Sequence, residues 1–334
     1  MKTMKVVMIA MVLAIASFTL ISCELLVPRP ASPVIHLLVI ALDYQNNPTV
    51  NSLSGTINDA VELAAAFEKR GQLDDLTVLT TMMLQEGTTP LRLDSHYPSK
   101  ANILAQIAEI GERMTEQDLY VMYYSGHGIG STLDVQNPQR GNLVTARTAD
   151  QWYETISTSE LASALEPIPG TKLLMMDSCF SGHHINEYPD GFISYFQPLE
   201  GFDGKQFYLM AASDTQLSWE DDIGTGGFAH RHGFFTFLLL EALGWDHFKT
   251  EENPDTLVQG TFTYDVDGLS YQHSYQGGMR SDGYVPARRS TTIGILDILR
   301  YIAQHMQRKA LNIPIQTTSA TEGPRDLVLF DSLW

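Results

Sequence analysis

From Val34 onward, apolar residues follow two alternating rhythms. Val34 to Leu42 is a continuous apolar run, as a strand buried on both faces requires. From Asn58 to Lys69, apolar Val61, Leu63, Ala64 and Phe67 recur at helical spacing, and the pattern stops before Gly71. Leu76 to Thr80 reads as a short strand. Ser99 is placed to cap a helix with Ile103, Leu104, Ile107 and Ile110 on one face, ending near Met114. Leu119 to Tyr124 is a second continuous strand, and Ser157 with Glu160 fits a capping box ahead of Leu161 and Leu165. Leu173 to Met176 and Phe207 to Ala212 read as strands. Phe234 to Leu243 and Thr292 to Arg308 read as helices, and Asp326 to Phe330 as a terminal strand. This alternation predicts an α/β fold, a three-layer α/β/α sandwich with a mainly parallel central sheet. Three stretches near 81–98, 183–205 and 245–290 carry no clear pattern and read as insertions in a domain spanning 34–334.

The start of the chain follows a different rule. Lys2 and Lys5 precede an apolar stretch from Val6 to Leu20, the order found in export signals. Leu20-Ile21-Ser22-Cys23 closes it and resembles the bacterial lipobox, which implies removal of residues 1–22 and lipidation of Cys23. The alternatives are a secretory signal with an incidental cysteine, or a retained helix. The second is disfavoured because the stretch is short for a span. Residues 23–33 contain Pro28, Pro30 and Pro33 and read as an extended tether, roughly 30 Å long at about 3 Å per residue. The expected location is the bacterial cell envelope, anchored by lipid and facing the periplasm or exterior.

Charge narrows the partners. The formal net charge is −18, and loss of Lys2 and Lys5 with the leader takes it to −20. Such acidity argues against nucleic acid and anionic headgroups, and suits a cationic substrate. The chain has two cysteines. If Cys23 carries lipid, Cys179 has no disulfide partner, and an unpaired thiol in an exported protein is a candidate reactive group. A buried inert cysteine is the alternative.

Two of the strands end abruptly in small residues, as Tyr123-Tyr124-Ser125-Gly126-His127-Gly128 and as Met176-Asp177-Ser178-Cys179-Phe180-Ser181-Gly182. In a parallel sheet both loops open at the edge where such sheets place their sites. A histidine and a cysteine then share one cleft, the minimum set for a cysteine hydrolase. Cys179 follows His127 by 52 positions, close to the caspase spacing of about 50. The two blocks resemble those of the caspase and metacaspase superfamily, most closely its bacterial metacaspase-like branch. Weaker similarity extends to Leu53-Ser54-Gly55-Thr56-Ile57-Asn58-Asp59-Ala60, Ala211-Ala212-Ser213-Asp214-Thr215-Gln216, Gly233-Phe234-Phe235-Thr236 and Gln316-Thr317-Thr318.

The resemblance implies a caspase-like fold and a Cys179/His127 dyad working through a thioester, with the N–H groups of Gly128 and Cys179 as oxyanion donors. No third member of the dyad stands out. Caspases that cut after aspartate use an arginine and a glutamine at positions that here match Leu53 and Asp177. An apolar residue and a carboxylate cannot neutralise a substrate aspartate, whereas a carboxylate pairs with arginine or lysine. Metacaspases carry aspartates at the positions of Asp59 and Asp177 and cut after basic residues. The expected substrate-binding set is therefore Asp59, Asp177, Asp214 and Ser125, with Ser125 also supporting the histidine loop. Helix capping is the alternative for Asp59, and a structural hydrogen-bonding role for Asp177.

Other polar clusters read as solvated: His183-His184, His230-Arg231-His232 and the acidic run Glu220-Asp221-Asp222. Asp265-Val266-Asp267-Gly268 and Ser281-Asp282-Gly283 carry part of a calcium-loop pattern without full EF-hand spacing. No cofactor is required, and calcium stays an open alternative. The expected partners are a peptide or protein with basic residues, and a membrane reached through the lipid anchor. Competing readings are a legumain- or clostripain-like peptidase of other specificity, and a non-catalytic lipoprotein that uses the fold for binding.

Overall fold

The continuous apolar runs assemble side by side into one sheet. In the computed structural model the described residues are 33–45, 47–70, 73–80, 96–130, 141–179, 181, 206–210, 218, 220–223, 230–245, 258–266, 269–277, 292–306, 319–320 and 327–331. In chain order, β1 (Ile35–Ala41) leads to α1 (Thr56–Arg70), β2 (Leu73–Thr80), α2 (Lys100–Arg113) and β3 (Leu119–Ser125). A small antiparallel sheet of β4 (Gly128–Gly130), β5 (Gly141–Val144) and β6 (Thr155–Ser157) follows, then α3 (Thr158–Leu165) and β7 (Thr171–Asp177). Next come β8 (Gln206–Met210), β9 (Glu220–Ile223), β10 (His230–Gly233) and α4 (Phe234–Ala242). The remaining elements are β11 (Val258–Val266), β12 (Leu269–Gly277), β13 (Thr292–Gly294), α5 (Ile295–His305), β14 (Ser319–Ala320) and β15 (Val328–Asp331).

The main sheet has the order β14-β8-β7-β3-β1-β2. Every pairing from β2 to β8 is parallel, and β14 is antiparallel to β8. Parallel strands buried on both faces must be apolar throughout, and β1 and β3 are buried at every position. Their alternate side chains feed two cores. Leu37, Val39, Val121 and Tyr123 pack with Phe67, Phe235, Leu238 and Ile298, the apolar faces of α1, α4 and α5. Leu38, Ile40, Met122 and Tyr124 pack with Ile103, Ile107, Ile110 and Leu161 of α2 and α3. The result is the expected α/β sandwich. Ser99 accepts from the Asn102 N–H, and Ser157 and Glu160 close a reciprocal capping box, so both predicted caps are present.

Several boundaries differ from expectation. The pattern over Thr292 to Arg308 reads as one helix, but β13 takes its first three residues to pair with β15 before α5 begins. The unpatterned 245–290 stretch contains β11 and β12, paired from Val258↔Gly277 to Val266↔Leu269. Only Asp267 and Gly268 separate those strands, and Asp-Gly between two strands is a strong hairpin signal. Asp265, part of the calcium-loop pattern, pairs within that ladder with Ser270. Asp267, Gly268 and 281–283 lie outside the described residues, as do 1–32, Asp214, His183 and His184. Among the described residues, no helix is long and apolar enough to cross a membrane.

Candidate active site

Strand register brings the two motif loops together. Ser125 at the end of β3 pairs with Asp177 at the end of β7, and Gly126 N–H donates to the Asp177 carbonyl at 3.2 Å. His127 and Cys179 each lie two residues beyond that pair. Gly128 has to be glycine for a steric reason: a Cβ there would stand 2.0 Å from the Cys179 carbonyl oxygen. The loops are in backbone contact, and any side chain at position 128 would push them apart. A cleft of about 100 Å³ opens at this edge, lined by Leu53, Thr56, Asp59, Ser125, Gly126, His127, Asp177, Cys179, Ser218, Glu220 and Gly233.

The histidine is held from three sides. Its Nε2 is 2.7 Å from the Asn51 carbonyl oxygen. A carbonyl only accepts, so Nε2 carries a proton and Nδ1 is the nitrogen left for a thiol. The His127 N–H donates to the Tyr44 hydroxyl at 3.0 Å, and the Tyr124 hydroxyl donates to the His127 carbonyl at 2.8 Å. Tyr44 also donates to the Val144 carbonyl at 2.6 Å and tilts its ring over the imidazole at a centroid distance of 4.8 Å. It does so from a φ of 52°, a left-handed backbone that disfavours a bulky residue. The buried tyrosines stay neutral, because burial pushes both hydroxyl pKa values up.

Cys179 rests as a thiol. Its Sγ is 3.6 Å from the Ser218 carbonyl oxygen, an acceptor that can bind only the protonated sulfur. Burial, with nearby Asp177 adding to it, pushes the thiol pKa up.

The two candidate specificity acids both line this cleft, on either side of Gly233. Asp177 accepts from the Ser218 hydroxyl at 2.5 Å, from the Thr236 hydroxyl at 2.6 Å and from the Thr236 N–H at 3.2 Å. Thr236 has one hydroxyl proton, and it goes to Asp177. Tyr123, 2.6 Å away, must therefore donate to Thr236. The Asp177 carboxylate sits in the first turn of α4, where the helix favours an anion. Burial nevertheless raises its pKa, against the pull of these donors and with Glu220 adding to the rise.

Asp59 is 1% exposed and lies in α1. It accepts from Ser125 Oγ at 3.0 Å and from the Gly233 N–H at 3.2 and 3.3 Å, and contacts His232 Nδ1 at 2.8 Å. Burial pushes its pKa up, with His232 and Ser125 pulling it back. It is buried wall rather than helix cap. The hydroxyl of Ser125 serves Asp59 directly.

Three expectations change. His232 is not solvated: it is fully buried, with a carboxylate on either side. Glu220 is not a free surface charge either, because its carboxylate binds the N–H groups of Ser54 and Gly55, each at 2.9 Å, ahead of α1. It satisfies orphan donors that a helix start always exposes. His127 also has a support that no residue type could have announced, the Asn51 carbonyl. Among the described residues, no group of three or more His, Cys, Asp or Glu side chains is placed to hold a metal ion.

Similarity to known proteins includes this region. The model of the metacaspase, peptidase C14 domain matches residues 36–187, which contain β1, β3, β7, His127 and Cys179. Metacaspase-1B of Aspergillus oryzae is 25% identical over 255 residues, covering 72% of this chain and 56% of that protein. The chain thus spans little more than half the length of this curated relative. Among solved structures, a Geobacter sulfurreducens protein aligns at 16% identity with a TM-score of 0.49, over 90% of this chain and 100% of its own. Caspase-1 from Spodoptera frugiperda aligns at 11% identity with a TM-score of 0.48, over 90% and 95%. The domain match and the metacaspase relative support placement in the caspase/metacaspase superfamily of cysteine peptidases.

Proposed function

We propose that the protein is a cysteine endopeptidase that cuts after arginine or lysine, and that it works at a membrane surface through a lipidated Cys23. The observation that carries this reading is one cleft in which His127, Cys179, Asp177 and Asp59 all meet. When substrate enters, the Cys179 thiol gives up its hydrogen bond to the Ser218 carbonyl and transfers its proton from sulfur to His127 Nδ1. The sulfur attacks the scissile carbonyl, and the N–H groups of Gly128 and Cys179 receive the developing oxyanion. His127 returns the proton to the leaving amine, and water then hydrolyses the thioester. The Asn51 carbonyl keeps the ring in the tautomer this sequence requires. A substrate cation beside buried Asp177 supplies the charge that its dipolar partners lack. The domain match and the metacaspase relative support the peptidase class, and the acid-lined cleft supports basic specificity.

Cys179→Ala and His127→Ala should each reduce kcat/KM on a basic peptide by about 10³-fold or more without unfolding the protein. Near-parental turnover by either variant sinks the dyad. A peptide library cut after asparagine would favour the legumain-like reading, and a thiol inert to alkylation would favour a binding protein. Mass spectrometry of the native mature terminus should find acylated Cys23; an unmodified terminus at another residue refutes the anchor.

A further inference from the structure

Asp59 faces the cleft, yet its charge is answered from inside the protein. His232, at the penultimate position of β10, has no exposed surface. Its Nδ1 is 2.8 Å from Asp59 Oδ1 and its Nε2 is 3.5 Å from Glu62 Oε1. The two acids lie three residues apart on α1, and so on one face of the helix. Glu62 also accepts from the Trp245 indole N–H at 2.7 Å. An imidazole with a carboxylate at each nitrogen is most stable with both nitrogens protonated. The other valences of Asp59 are filled by Ser125 and Gly233. Asp177 differs: among the described residues its hydrogen-bond partners are hydroxyls and one N–H, all dipoles.

We propose that His232 is a positioning residue for specificity: shared between Asp59 and Glu62, it engages Asp59 from inside the protein and leaves Asp177 to select the cationic side chain of the substrate. This deepens the basic-specificity reading and rests on it. Other groups around the pair bear on its charge. Asp177 comes from β7 and Glu220 from β9, and the Phe237 ring lies 6.2 Å from the imidazole. Burial alone would disfavour an imidazolium, but Glu62 and Asp59 outweigh it and raise His232 to about 10.

Paired peptides carrying arginine or its uncharged isostere citrulline before the cut report pocket charge as a ratio of kcat/KM. Asp59→Asn/His232→Gln replaces the ion pair by a neutral pair of similar shape. The ratio should stay within about threefold of the parent, while Asp177→Asn should lower it by roughly thirtyfold or more. A double variant that falls as far as Asp177→Asn overturns the inference. His232→Gln alone leaves Asp59 without its cation and raises its pKa further. The ratio should then climb at a higher pH than in the parent, where Asp59 ionises near 7; parallel profiles overturn the inference. Independently of turnover, NMR of the ¹⁵N-histidine-labelled parent should show one ring protonated on both nitrogens at pH 8, a signal missing from His232→Gln. A neutral His232 at pH 8 overturns the inference whatever the ratios. A persistent imidazolium in a parent that does not prefer arginine overturns the basic-specificity reading, and the specificity half of the inference with it, while the ion pair stands.

Discussion

Asp59 and Asp177 line the same cleft, one from α1 and one from the end of β7, and both are buried. Asp59 meets a full cation, His232, backed by Glu62. Asp177 meets the N-terminal turn of α4 and two hydroxyls, which orient toward an anion but bring no whole charge. A buried carboxylate that lacks a counter-charge pays most of its desolvation unrelieved. On the specificity proposed above, the wall at Asp59 is filled from within the protein, and an incoming cation would complete the wall at Asp177. Identical side chains in one pocket can serve as scaffold and as recognition group, and the partner set decides which.

The sharpest way to break this comparison is Asp177→Asn. Losing one member of a desolvated charge pair costs about 3–5 kcal/mol. If the loss falls in the transition state, kcat/KM on arginine peptides drops by about 10² to 10³. Alkylation of Cys179 should persist at the parental rate or above it, because the thiol contacts the Ser218 carbonyl and loses the nearby Asp177 charge that helps hold its pKa up. Unchanged kcat/KM would make the Asp177 wall as passive as the other. Acidification tests the same wall: the raised pKa of Asp177 means that arginine preference fails at a higher pH than an ordinary carboxylate would set.

The wall at Asp59 should instead show itself in stability. His232 is raised from 6.5 to about 10 in the folded protein. A raised folded-state pKa gives stability that is full below the unfolded value and lost as pH rises through the folded one. The unfolding free energy from denaturant titrations should therefore fall between pH 7 and 10, by on the order of a few kcal/mol. His232→Gln should flatten that limb. An equally steep limb in the variant would place the alkaline sensitivity elsewhere.

Sequence patterning marked Asp177 and the motif loops as candidates more clearly than it marked the surroundings of Asp59. Continuous apolar runs marked β1, β3 and β7, and register then placed Ser125 against Asp177 and both motif loops at one edge. His127, Cys179, Asp59 and Asp177 were readable because their types sit at motif positions. His232 looked solvated because two of the residues beside it, His230 and Arg231, are polar, and only the β9–β10 pairing turns it inward. Glu220 joins Ser54 across 166 positions, a contact that no local pattern encodes. The Asn51 carbonyl and Tyr44 act through backbone or from a left-handed turn, so neither leaves a compositional mark. The β11–β12 hairpin did leave one, Asp267-Gly268, which equally fits part of a calcium loop.

Gly233 joins the two walls. Its N–H binds Asp59, and a Cβ there would stand 2.1 Å from Asp177 Oδ2. Gly233→Ala must displace that carboxylate, an overpacking cost of about 1–3 kcal/mol. Thermal unfolding should register the cost, and arginine turnover should fall alongside it. A parental melting temperature would mean that the close approach is not rigidly held.

Ser125→Ala carries the smallest expected effect and discriminates most finely. Ser125 lines the cleft, so its hydroxyl could in principle meet substrate, but its proton is donated to Asp59 at 3.0 Å. Removing it deprives a buried carboxylate of one charge-assisted hydrogen bond, worth about 1.5–3 kcal/mol in general. Here His232 and the Gly233 N–H still hold Asp59, so about 1 kcal/mol of stability is expected to go. Because that loss falls on the scaffold wall, the arginine-to-citrulline ratio should stay within about twofold of the parent. Denaturant unfolding and the paired peptides separate the two effects. A ratio that falls with no change in stability would assign Ser125 to the substrate, and would show that the Asp59 wall takes part in recognition after all.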